Sequence, residues 1–184
     1  MLRPTYPIAT ERLLLRPFAP EDLDAMAGIH GSAEVARFLS WDARTRAEVR
    51  DLIARRSTWT VLTREGEAIC LAAVLAATGE LIGDVTLMWR SERHRRAEVG
   101  YIVDPAHRGQ GYATEAAHAM LTLGFEGLGL HRITGRIDAR NAASARVLER
   151  LGMRREARFV ENEHVKGEWT DEVVYALLDR EWSS

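Results

Sequence analysis

Two glycines, Gly109 and Gly111, separate a strand-like run ending at Val103 from a helix-like run that begins at once. This junction constrains the chain more than any other segment. Asp104-Pro105 closes the strand, because proline cannot donate a ladder hydrogen bond. The first N–H groups of the following helix have no intrahelical acceptor, and its dipole concentrates positive charge there. The segment Asp104 to Ala116 is therefore a ready cradle for a phosphate or pyrophosphate. Glycine permits the close approach and unusual torsions such a turn needs, and Arg108 adds a fixed positive charge. Ala113, Ala116, Ala117, Met120, Leu121 and Gly124 recur at helical spacing, so small residues let the helix lie close to a sheet. A Walker A loop is excluded, because no lysine follows Gly111. The dinucleotide fingerprint would require a third glycine where Thr114 stands. A plain turn before an ordinary helix remains the alternative.

The rest of the chain alternates strands and helices. Glu11 to Phe18 reads as a strand, Pro20 opens a helix, and Thr45 to Thr63 reads as a polar, arginine-rich helix with Val49, Leu52, Ile53 and Trp59 inward. Ile69 to Ala76 and Leu81 to Trp89 form a hairpin about Thr78-Gly79-Glu80. A charged connection, Arg90 to Arg96, leads to the strand Ala97 to Val103. Beyond the glycine turn come a helix (Gly111 to Glu126), a strand (Arg132 to Asp138), a helix (Ala142 to Leu151) and a closing hairpin (Met153 to Val165, Trp169 to Leu178). This order implies an α/β (α+β) domain, with a mixed sheet of about seven strands and helices on its faces. No linker or repeat divides residues 1–184, so one domain is expected.

Composition excludes several functions. The net charge is −2, so no basic footprint for nucleic acid is present. Cys70 is the single cysteine and sits in an apolar run, where a buried inert thiol is expected. Without a base beside it in sequence, and with no Gly-x-Ser-x-Gly elbow, covalent catalysis is disfavoured. The six histidines lack metal-ligand spacing, so no metal is expected. No run is long and apolar enough for a membrane span, and the N-terminus lacks the apolar region of a signal peptide, so a cytoplasmic location is expected. Arg90 to Arg96 reads as a solvated connection, with contact to an acidic partner such as ribosomal RNA as the alternative.

Arg108-Gly109-Gln110-Gly111-Tyr112-Ala113 resembles the phosphate-binding motif of the GNAT superfamily of N-acetyltransferases. The resemblance runs along nearly the whole chain. Thr10 to Arg16, Leu81-Ile82-Gly83-Asp84-Val85, Glu98-Val99-Gly100-Tyr101, Asn141-Ala142-Ala143-Ser144 with Leu151-Gly152-Met153, and Lys166 to Asp171 resemble the ribosomal-protein alanine acetyltransferase (Rim) branch in order. It implies a GNAT fold, mostly antiparallel, with a splayed central strand pair: Tyr101-Ile102-Val103 against Arg132 to Asp138. Acetyl-CoA is the implied cosubstrate. Its pyrophosphate is expected on the backbone amides of Gly109, Gln110, Gly111, Tyr112, Ala113 and Thr114, beside Arg108. Its pantetheine arm is expected to pair near Val103, with the thioester facing an N–H of Ile102 or Val103.

Asn141 is expected to cap the next helix, to touch the cosubstrate, or to do both. Many relatives place a tyrosine where Leu148 stands, to protonate the departing thiolate, so the usual general acid is missing. Ser144 is the first replacement by resemblance to the Rim branch, with water as the alternative. Glu98 is the candidate base, acting on the amine through a water, with pairing to a nearby arginine as the alternative. Glu115 reads as a structural or dipole partner, and Glu163, Glu168 and Asp171 border the expected acceptor site unranked. Trp41, Trp89 and Trp169 are candidates for lining it. The implied reaction is direct attack in a ternary complex. The expected acceptor is a protein N-terminal α-amine, with an aminoglycoside, polyamine or amino acid analogue as the alternative. A non-catalytic acyl-CoA-binding module is the other reading, and a homodimer is compatible with all of them.

Overall fold

A computed structural model describes residues 1–183; Ser184, the last residue of the expected domain, lies outside them. Eight strands form one sheet: β1 (Ile8–Ala9), β2 (Leu13–Arg16), β3 (Ala68–Leu75), β4 (Leu81–Ser91), β5 (Arg96–Val103), β6 (Arg132–Asp138), β7 (Arg154–Val165) and β8 (Glu168–Leu178). Their spatial order is β1-β2-β3-β4-β5-β6-β8-β7. The α-helices are α1 (Leu23–His30), α2 (Ala33–Ala36), α3 (Arg46–Arg56), α4 (Tyr112–Thr122) and α5 (Ala142–Arg150).

Strand β3 shows why the sheet is covered on both faces. Ile69, Leu71 and Ala73 point into one core, and Cys70, Ala72 and Val74 into the other. The first core is closed by Ala116, Ala117 and Met120 of α4 and Leu148 of α5. The second is closed by Met26 and Ile29 of α1 and Val49 and Ile53 of α3.

Three expectations need correction. An eighth strand exists because Ile8 and Ala9 pair with Leu15 and Leu14. The helix expected to reach Thr63 ends at Arg56, because the chain beyond it supplies backbone partners elsewhere: Trp59 O accepts Cys70 N at 2.9 Å, and Leu62 O accepts Leu2 N at 2.7 Å. The helix expected to reach Glu126 leaves α geometry at Thr122 and continues as a π turn over Leu123–Gly127. Glycines allow that turn to pack tightly, since a Cβ on Gly124 would sit 2.6 Å from Ile133 Cδ1.

Every neighbouring strand pair is antiparallel except β5 and β6. Strand β5 is paired to β4 along its length, up to Gly83↔Val103. On its other side it pairs with β6 only at Arg96↔Arg132, Ala97↔Ile133 and Glu98↔Thr134. Beyond Glu98 the two strands part, while β6 stays paired with β8 as far as Asp138↔Glu172. The edge of β5 over residues 99–103 therefore faces a gap.

The far side of β5 is held by a close approach. A Cβ on Gly83 would lie 2.0 Å from Ile102 O, so β4 and β5 fit only with glycine there. A Cβ on Gly100 meets nothing within 4 Å. Gly83→Ala is expected to cost about 1–3 kcal/mol, lowering the melting temperature by roughly 2–12 °C. Gly100→Ala should melt close to the parent, and equal melting of both variants would contradict the packing.

Candidate active site

The glycine turn grows out of the end of β5. Asp104 Oδ1 accepts Ala106 N at 2.8 Å, shaping a short turn over Pro105–His107. Gly109 and Gly111 take φ of 78° and 89°, the left-handed region that favours glycine. Helix α4 starts at Tyr112 with Gly111 as its cap and no side chain over its end. Among the described residues, the N–H groups of residues 109–114 have no protein acceptor. Thr114 Oγ1 is likewise buried without a partner. These orphaned donors are what an anionic ligand satisfies.

The turn is braced from behind by the chain entering β2. Glu115 accepts from Thr10 Oγ1 (2.6 Å), Arg12 N (2.7 Å) and Arg12 Nε (2.8 Å). Arg12 also donates to Gln110 O at 2.9 Å and lies over the Tyr112 ring, 4.6 Å from its centroid. Burial alone would raise the Glu115 pKa, but the bonds from Thr10 and Arg12 outweigh it and hold the carboxyl below its usual range. Glu115 is thus a structural brace of the turn that lies outside the wall of the cleft in front of it.

A cleft of about 430 Å³ opens in front of the turn. Ile102, Val103, Arg108, Gly109, Gly111, Tyr112, Ala113, Thr114, Asn141 and Ser144 all line it. Gln110 does not, and contributes its carbonyl to the Arg12 brace instead. Arg37, Arg146 and Arg150 join Arg108 in the wall, against a single acid, Glu34. Glu34 bonds Arg108 at 2.5 Å, so the cation at the mouth already has a partner. Asn141 Oδ1 accepts Ser144 N at 3.0 Å, so the cap is real and the residue also lines the cleft. Leu148 is buried against Gly135, where a Cβ would sit 2.5 Å from Leu148 Cδ2.

A second cleft of about 210 Å³ continues from the first into the gap between β5 and β6. Phe38, Leu39, Tyr101, Ile102, Asn141 and Ser144 line both, so the two clefts meet there. Glu98 lines neither and pairs with Arg90 at 3.1 Å. Glu168 and Asp171 are held by Arg140 and Arg158, and they and Glu163 lie outside both walls. Trp89 is core, Trp169 is 61% exposed, and Trp41 stacks on His30, so none of the three lines a cleft.

Sequence reasoning missed the charged cluster behind the second cleft. Asp84, on that cleft's wall, is only 3% exposed, bonds His30 Nε2 at 2.8 Å and forms an ion pair with Arg56 Nη1 at 3.1 Å. Arg44 Nη1 lies 2.8 Å from His30 Nδ1. Arginine only donates, so Nδ1 accepts and Nε2 carries the proton given to Asp84. Burial pushes the Asp84 carboxyl up, but Arg56 and His30 more than offset this and hold it low. An aspartate after Gly83 inside an apolar strand was the available signal, because a buried carboxylate requires partners.

The chain matches the acetyltransferase (GNAT) domain family over residues 12–154, and it belongs to that family. A GNAT-family acetyltransferase from Bacillus anthracis superposes with a TM-score of 0.85 at 30% identity, covering 95% of this chain and 99% of that one. The uncharacterized N-acetyltransferase p20 of Bacillus licheniformis is 30% identical over 95% of this chain and 97% of its own length. Spermidine N(1)-acetyltransferase of Escherichia coli K12 is 25% identical over 91% of this chain and 87% of its own. The protein is an acetyl-CoA-dependent N-acetyltransferase. Its residues fit that cosubstrate: the orphaned amides and Thr114 Oγ1 match a pyrophosphate, and the free edge of β5 matches an amide-bearing arm. Among the described residues no helix is long and apolar enough to cross a membrane, and no cluster of His, Cys, Asp or Glu is placed to hold a metal.

Gly111→Val forces a branched side chain into φ 89°, with its Cβ 3.2 Å from Arg12 Nη2. It is expected to leave the chain folded and to abolish the stabilisation by acetyl-CoA, which at 100 times Kd is about 2.7 kcal/mol. An undiminished thermal shift in this variant would show that the turn is not the anion site. The brace predicts a pH dependence. Because the Glu115 pKa is depressed on folding, its stabilisation is present above the unfolded value, about 4.3, and is lost as pH falls through the folded one. Parent and Glu115→Gln should differ in melting temperature at neutral pH and converge in acid. A constant difference would contradict the brace.

Proposed function

We propose that the protein acetylates the free α-amine at the N-terminus of a polypeptide by direct attack on acetyl-CoA, and that residues 1–184 form the single catalytic domain. The observation that most supports direct transfer is the continuity of the two clefts along the unpaired edge of β5. One runs past the anion-binding turn and the other opens on the far side of the gap, so donor and acceptor meet around Tyr101 and Ile102. No thiol nucleophile is available on the way. Cys70 is fully buried, lines neither cleft, and its thiol is pushed up to about 12, by burial first and by the Asp84 charge second.

The charge pattern supports a peptide over a polyamine. Both carboxylates that line the second cleft already have an arginine, Asp84 with Arg56 and Asp138 with Arg140, and Glu172 and Glu98 pair with Arg136 and Arg90. A polycation gains little from carboxylates that are already neutralised. A peptide needs to bring only one amine. That amine has a pKa near 7.7–8.0, so about a tenth is neutral at pH 7, against fewer than about one in a thousand for a lysine. Phe159, Val160 and Trp169 are exposed on the closing hairpin and offer a peptide apolar surface.

Within this reading the amides of residues 109–114 fix the diphosphate, and the free N–H groups of β5 orient the thioester and stabilise the charge that develops on its oxygen. Asn141 holds the start of α5 in place. Glu98 takes the ammonium proton through water, since its carboxylate lies outside the cleft wall.

Thiol release from acetyl-CoA is expected with short peptides bearing a free N-terminus. None is expected with the same peptides blocked at that amine, and little with spermidine or an aminoglycoside. Preference for spermidine would overturn the acceptor. Glu98→Gln should lower turnover most at low pH, where neutral amine is scarce. An unchanged pH–rate profile would remove Glu98 from the mechanism.

A further inference from the structure

We infer that the Tyr101 hydroxyl is the hydrogen-bond donor to the departing sulfur of acetyl-CoA, in place of any side chain of α5. This rests on the direct transfer proposed above. Of the six residues that line both clefts, Phe38, Leu39 and Ile102 carry no polar side-chain hydrogen, and Asn141, whose Oδ1 caps α5, offers only amide hydrogens, weaker donors than a phenol. Two hydroxyls remain, on Tyr101 and Ser144.

Geometry and chemistry favour Tyr101. Its ring packs against the core under α5, and its O–H donates to Ser144 O at 2.9 Å. A carbonyl in the first turn of a helix also accepts an intrahelical N–H, so the phenol can rotate its hydrogen away without orphaning that oxygen. A phenol is a stronger donor than an aliphatic alcohol. Burial is the main cause that pushes the Tyr101 phenol well above its ordinary value, and the bond to Ser144 only partly offsets it. The group therefore stays protonated, and is a donor, throughout the working pH range. One turn along α5, Leu148 fills the space over Gly135 with methyl groups and supplies no donor.

The step balances without any further reactant. The neutral amine forms its N–C bond to the acetyl carbonyl carbon, and the C–S bond breaks with its electron pair going to sulfur. Tyr101 donates a hydrogen bond to the thiolate as that charge develops and keeps its own proton. The proton shed by the amine nitrogen passes through water and finally leaves as the thiol hydrogen of CoA.

The test is Tyr101→Phe, with Ser144→Ala beside it, each first checked for the parent's melting behaviour. Two readouts are needed: steady-state kinetics with acetyl-CoA and a free-amine peptide, and the pKa of the CoA thiol in the binary complex, followed by thiolate absorbance. Losing a hydrogen bond to a charged group predicts a kcat about ten- to a hundredfold lower, with KM for acetyl-CoA little changed. The bound thiol pKa should rise by about one unit in Tyr101→Phe, because the thiolate loses its donor. A lower kcat with an unmoved thiol pKa would mean a structural tyrosine and overturn the inference. The pKa rise appearing in Ser144→Ala instead would assign the donor to Ser144. Parent protein that binds no CoA would defeat the acetyltransferase reading itself, and this inference with it.

Discussion

Backbone N–H and C=O groups inside a sheet must find partners, and on one edge of β5 beyond Glu98 no strand provides them; among the described residues only Val103 O is met there, by Arg108 Nε at 3.3 Å. The cause lies in commitments on either side. Strand β5 is locked to β4 by the contact of Gly83 with Ile102, and β6 is paired with β8 along its whole length. Neither strand can move to close the gap without breaking its other ladder. The extended edge is therefore held open beside the free N–H groups of the glycine turn, and in the proposed function one cosubstrate uses both.

Charges around the gap between β5 and β6 mostly hold its walls in place. Arg12 and Glu115 tie the chain leading into β2 to the turn that starts α4. Asp84, His30, Arg44 and Arg56 join β4 to α1, α3 and the loop between them behind the second cleft. A buried ion cluster of this kind is poor evidence for added stability, but removing one member leaves the others uncompensated. Its effect is to hold two helices against the face of the sheet where the acceptor must approach. The glycine turn keeps its donors free because Glu115 is engaged from behind and does not compete for them.

The phosphate cradle was readable from sequence because its parts are adjacent: strand end, two glycines, helix start. The same holds for β6, whose limits match the expected Arg132 to Asp138, and for the cap made by Asn141. What escaped depends on distant partners. The two-residue strand at Ile8 is too short to show periodicity, and the helix stops at Arg56 because Trp59 and Leu62 answer to Cys70 and Leu2. Glu98 looked well placed by strand alternation, yet its distance from the cleft depends on where β5 and β6 part, and that is set by β8. Tyr101 looked like an ordinary strand aromatic because its hydroxyl meets Ser144 only once α5 is docked.

Amide hydrogen exchange resolved by residue, with and without acetyl-CoA, tests the central claim most directly. The account predicts that the N–H groups of residues 109–114 and at least one of the gap-facing amides of β5, at Tyr101 and Val103, exchange quickly in the free protein. They should become protected when acetyl-CoA binds, while β3 and β4 change little. Protection confined to other segments, or an edge of β5 already protected without ligand, would contradict it.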